Sequence, residues 1–155
     1  FKINNMKTLV GVFVIAMAFV HAGYAQDVKE KDVPIALKNS LVKNFTTNSA
    51  DWNKEGANYE ASFKERGNEM SVVFDGAGNV VETEKEIKQS ELPLPVQNVL
   101  KIDYKDYELE EIAIIDSKGT ITFETELERG KDSLEIIFNA DGKVISKTEK
   151  KEEKD

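Results

Sequence analysis

The chain has no cysteine and a single histidine, His21, and that histidine lies in a segment not expected to survive export. Leu9 to Val20 is an apolar run of twelve residues, preceded by Lys7 and followed by Gly23-Tyr24-Ala25, whose small residues suit a cleavage site. Twelve residues fall short of the ~20 that a membrane-spanning helix needs. The reading is therefore a signal peptide cleaved before Gln26 and no permanent membrane anchor, with Phe1 to Asn5 as an upstream extension ahead of Met6. No cysteine follows the cleavage site, so a lipid cannot be attached there. With neither His nor Cys from Gln26 onward, the composition excludes histidine acid–base catalysis, Ser-His-Asp and Cys-His nucleophiles, and zinc or copper sites built on imidazole or sulfur. No catalytic residue, cofactor or metal site is assigned, and the expectation is a protein that is not an enzyme.

Basic residues are also scarce. Removing the segment that carries Lys2 and Lys7 leaves 19 basic against 29 acidic residues, a formal charge of −10. Nucleic acid is excluded as a partner, because binding it rests on neutralising phosphates with a basic surface. A protein or peptide partner, or a weakly held divalent cation on the acidic surface, fits this charge better. Paired carboxylates remain the one catalytic chemistry the composition leaves open.

The chain does contain a doubling. FDGAGNVVETE, Phe74 to Glu84, has its like in FNADGKVISKTE, Phe138 to Glu149. VPIALKNSLVKNF, from Val33, aligns with LPLPVQNVLKIDY, from Leu92, at an offset of fifty-nine; from Tyr59 against Phe123 onward the offset is sixty-four. Five extra residues therefore lie between the second copy's helix and Phe123. Each copy opens on a proline, tolerated in a first helical turn, and Leu37, Leu41, Phe45 recur as Val96, Leu100, Tyr104 on one helical face. The period then drops to two, as in Tyr59, Ala61, Phe63 and Met70, Val72, Phe74, which predicts strands with one buried face. Asp75 or Asn139 with Gly78 or Gly142 reads as a hairpin turn, and EEIAIID, Glu110 to Asp116, as an inner strand apolar on both faces.

The predicted fold is α+β: two tandem helix-plus-antiparallel-strand repeats, 33–87 and 92–149, sharing one sheet with both helices on one face and one continuous core. KQSE, Lys88 to Glu91, joins them; 26–32 reads as a disordered lead and 150–155 as a charged tail. Alternation places Glu60, Ser62, Lys64, Ser71 and Val73 on the helix-free face of the first copy, and Thr122, Glu124, Glu126, Glu135 and Ile137 on that of the second. Val73 and Ile137 are equivalent apolar positions where polar ones are expected. With the acidic trio Glu124, Glu126 and Glu135 they form the candidate partner-binding face. Trp52, the single tryptophan, is a further candidate contact, or else packs against the helix.

The signal peptide, the proline-led helices, the W-x(6)-Y-x-A-x-F stretch from Trp52 to Phe63 and the doubled element at Val72–Val80 and Ile136–Val144 resemble the PepSY-like, beta-lactamase-inhibitor-like proteins exported by Gram-negative bacteria. The resemblance covers Val33 to Glu149. It implies a periplasmic protein of tandem helix-plus-sheet architecture, inhibitor-like in fold; the residues of the helix-free face are themselves read as those of a periplasmic or secreted module that binds another protein or peptide. The chain lacks the cysteines of the disulfide-bearing inhibitor, and no inhibitory residue carries over. Intact-mass measurement of the exported protein is expected to give a chain beginning at Gln26; a mass that retains Leu9 to Val20 would place the protein in the membrane instead.

Overall fold

The computed structural model describes residues 26–151, and the signal segment lies outside them. Among these residues the chain forms nine strands and two α-helices: β1 (Gln26–Val28), α1 (Ile35–Asn44), β2 (Asp51–Glu55), β3 (Asn58–Glu65), β4 (Asn68–Phe74), β5 (Val80–Glu86), α2 (Leu94–Asp103), β6 (Glu108–Ser117), β7 (Thr120–Arg129), β8 (Asp132–Phe138) and β9 (Val144–Lys151). All strands pair antiparallel with their sequence neighbours in one sheet, ordered β1 to β9. The fold is α+β with a single sheet, as the change of period predicts.

Pro34 and Pro93 cap the two helices. One stripe of each is buried, Leu37 and Leu41 on α1, Val96 and Leu100 on α2. One pleat row runs Phe63–Met70–Lys85–Ile114–Phe123–Phe138 across β3 to β8. Its first members belong to the apolar cluster under α1 and its last to the cluster under α2, so both helices cover the same face. The expected continuous core is two clusters. The helix-facing side chains of β5 include Thr83 and Lys85, and these interrupt the apolar layer midway between the helices.

The lead and the tail need correction. Gln26–Val28, read as disordered, pairs with β2, and Val28 packs on the first cluster. Lys29 to Pro34 then repeats Lys88 to Pro93 at the offset of fifty-nine, with a 3-10 turn in each copy, Glu30–Asp32 and Gln89–Glu91. Val28 thus corresponds to Ile87, and β5 both closes the first repeat and leads into the second. Lys150 and Lys151, read as the start of the charged tail, belong to β9 and pair with Ser133 and Asp132. The five extra residues of the second copy lengthen β6, which has ten residues where β2 has five.

The doubled turn explains the doubled sequence. Asp75 Oδ1 accepts hydrogen bonds from the backbone N–H groups of Ala77 and Asn79, both at 2.9 Å. Asn139 Oδ1 accepts from those of Asp141 at 3.1 Å and Lys143 at 2.9 Å. Gly78 and Gly142 have φ of +89° and +81°. They also seat each turn on the start of a helix: an added Cβ would lie 3.1 Å from the Ala36 carbonyl oxygen at Gly78 and 2.9 Å from that of Pro95 at Gly142. The pair couples local turn chemistry to helix docking, which is why one instruction appears twice.

Gly130, at φ +63° with open space about it, is the control for conformation alone. Gly130→Ala is expected to cost about 1 kcal/mol of unfolding free energy, and Gly142→Ala, which adds the clash with the Pro95 backbone, about 2 kcal/mol or more. Denaturant melts of the two variants check this; equal losses would mean that the helix moves freely away from the turn.

Candidate functional site

The helix-free face follows from the strand registers. One row of side chains runs Asn53–Glu60–Val73–Glu82–Ser117, and the next runs Asp51–Ser62–Ser71–Glu84–Ile115–Thr122. Beyond them Glu86, Ala113, Glu124 and Ile137 share a row, as do Glu111, Glu126 and Glu135. All ten positions assigned to this face by alternation lie on it. Over β3 to β8 the only basic residue on this face is Lys64, which lies opposite Glu69 and forms an ion pair with it at 2.7 Å near the outer end of its strand.

The face is not the exposed surface that alternation suggests. Glu84 is 4 % exposed, Glu135 6 % and Glu60 8 %, while Val73 is at 2 %. Glu124, Glu126 and Ile137 are half-buried. Ser133 donates its hydroxyl to Glu126 Oε1 at 3.2 Å. The two apolar candidates differ in their surroundings: Val73 is closed in between Glu60 and Glu82, and Ile137 stands beside Glu124. Trp52 is not on this face. It is buried under α1 in register with Ala61, its ring 5.9 Å from that of Phe74. Its strand position fixes this, because β2 pairs so that Trp52, Tyr59, Ala61 and Phe63 share a side.

The central residue of the face is one the sequence reading passed over. Glu84 sits on β5 between Ser71 and Ile115, and its Oε2 is buried with no hydrogen-bond partner. Burial, followed by the charges of Glu124, Glu111, Glu60 and Glu82, pushes its pKa up to about 9. Burial and then the neighbouring Glu55 raise that of Glu60 to about 7, opposed by the hydroxyls of Ser62 and Ser71. Ser71 Oγ, although beside that carboxyl, has no partner in full hydrogen-bond geometry. Burial also raises the pKa of Glu82. The signal for this cluster was legible in VETEKE, where Glu82, Glu84 and Glu86 alternate onto one face once the Asp75 turn fixes the register.

No family model matches the chain, and no curated protein matches its sequence. Solved structures do match its fold. A DUF2874 family protein from Bacteroides uniformis is 20 % identical, covers 75 % of this chain and 88 % of its own, and superposes with a TM-score of 0.69. A protein ascribed to the periplasm of Bacteroides eggerthii is 18 % identical over 76 % of this chain and 88 % of its own, with a TM-score of 0.70. A BLIP-like protein from Bacteroides fragilis is 21 % identical over 79 % and 89 %, with a TM-score of 0.64. This likeness is one of fold. It supports the beta-lactamase-inhibitor-like part of the resemblance and does not single out PepSY proteins. Among the described residues, no helix is long and apolar enough to cross a membrane.

The buried carboxyl has a measurable consequence. An acid whose folded pKa is about 9 and whose ordinary value is 4.5 binds more protons folded than unfolded between those limits. Its contribution is most favourable below pH 4.5 and is lost as pH rises toward 9. Glu84→Gln is expected to flatten this fall and to raise stability at pH 7 by about 3 kcal/mol, with little change at pH 4. Urea melts of both proteins across that range check it; parallel curves would mean that Glu84 is ionised in the fold.

Proposed function

We propose that the chain is a non-enzymatic binding module that works in the periplasm or outside the cell and engages another protein through its helix-free sheet face. The observation that carries this reading is the concentration of carboxylates on one side of a single sheet, with apolar side chains set among them and only Lys64 as a basic counterpart over β3 to β8. Carboxylates crowded on neighbouring strands repel one another, and a basic protein surface relieves that repulsion. The fold shared with a BLIP-like protein and with one ascribed to the periplasm is consistent with an exported, inhibitor-like module. The expectation of no enzymatic activity rests on the lack of His and Cys after Gln26. A cation-buffering role on the same acidity has less to support it, since no group of three or more carboxylates among the described residues is placed to hold a metal ion.

Capture from periplasmic extract, with mass spectrometry of what is retained, tests the reading. The wild-type protein is expected to retain a specific basic partner. Replacing Glu124, Glu126 and Glu135 together by Gln is expected to weaken that capture at least about tenfold and to make it less sensitive to salt, while leaving the fold intact or slightly stabilised. Capture that is unchanged by the triple substitution would place the binding surface elsewhere. A calcium-dependent rise in melting temperature without any retained protein would favour the cation role.

A further inference from the structure

Resting on the reading of this face as a protein-binding surface, we infer that its floor is a receptor for one lysine or arginine side chain of the partner, with the Glu84 carboxyl as the counter-charge.

Three independent features of the site agree on that chemistry. The first is position. Glu84 lies on the fifth of nine strands, four from either edge, with Ser71 and Ile115 directly beside it. Its buried Oε2 has no hydrogen-bond partner, a state that costs free energy in the unbound protein and that an incoming N–H donor corrects. The second is charge. The titratable groups around Glu84 are Glu60 and Lys64 on β3, Glu69 on β4, and Glu82 and Glu86 on its own strand. Beyond it stand Glu111 on β6 and Glu124 on β7. Lys64 is held by Glu69, so no basic side chain of these strands is paired with Glu84.

The third is the apolar floor. Val73, Ala113 and Ile115 are buried on the same face. A bare metal ion gains nothing from such a lining, and the carboxylates do not converge in a metal-holding group among the described residues. A lysine or arginine uses both parts, because its stem is aliphatic and its head is charged. Burial and the neighbouring carboxylates keep the free site neutral: with a pKa of about 9, Glu84 keeps its proton at pH 7 until a cation arrives. Binding then transfers that proton from the carboxyl to solvent, and the carboxylate left behind pairs with the bound ammonium or guanidinium. One proton is released for each cation bound, and affinity rises with pH up to the free-state pKa.

Carboxyl carbon signals of glutamate-labelled protein read this directly, with Glu84 assigned by its loss in Glu84→Gln. N-acetyl-arginine amide at about 50 mM is expected to lower the titration midpoint of Glu84 by about one pH unit, the shift given when the ionised form alone binds it with a dissociation constant of about 5 mM. N-acetyl-citrulline amide, similar in shape and uncharged, is expected to leave it in place. No displacement by the arginine derivative overturns the inference. An equal displacement by calcium chloride at matched ionic strength also overturns it, because the face would then be a general cation field. The protein-binding reading is decided separately, by where a captured partner cross-links: contacts on this face with Glu84 unmoved by arginine sink the inference and leave that reading standing.

Discussion

The two repeats are held together by the hydrogen-bond ladders on either edge of β5, because the apolar layer under the helices does not bridge them. At the seam the helix-facing side chains include Thr83 and Lys85, and each helix keeps its own cluster. What fixes one half against the other is backbone pairing of β5 with β4 on one side and β6 on the other. The same register puts Glu84 in the middle of the opposite face. Continuity of the sheet and the electrostatic character of the site are therefore set by one strand.

Side-chain alternation carries most of this architecture. It predicted the strands, the shared sheet, the helix-covered side and the ten residues of the other side, since a strand with one buried face can be read only one way. The turn residues predicted the hairpins, and the five extra residues fell where β6 is longer than β2. The lead was misread because Gln26–Val28 is too short to show a period. The evidence was instead the likeness of Asp27–Lys29 to Glu86–Lys88 one repeat later. Lys150 and Lys151 were misread because charged residues dominate an edge strand as readily as they dominate a tail.

Burial on the helix-free face was the harder matter. Alternation says which way a side chain points and not how crowded its neighbours are, so Glu135 was expected exposed and lies buried. Crowding depends on which residues meet across strands. Glu84 meets Ser71 and Ile115, residues far from it in sequence, and only the assembled register brings Glu60, Glu111 and Glu124 toward it. A carboxyl in that setting stays protonated, which composition alone, counting every glutamate as charged, cannot express.

The ends of the sheet have their own logic. Among the described residues, the open nine-stranded sheet leaves two unpaired backbone edges, each a template on which another chain can stack. At one end β1 is three residues long, too short to guide a stranger's strand into place. At the other end β9 is eight residues and carries Ile145 well exposed, the kind of border from which fibrils grow. Its run Ser-Lys-Thr-Glu-Lys-Lys puts lysine along that border, and lysine on an edge strand works against the stacking of another chain. A lysine-rich stretch suits such an edge, and neutralising its charge is expected to lower the solubility of the molecule before it disturbs the fold.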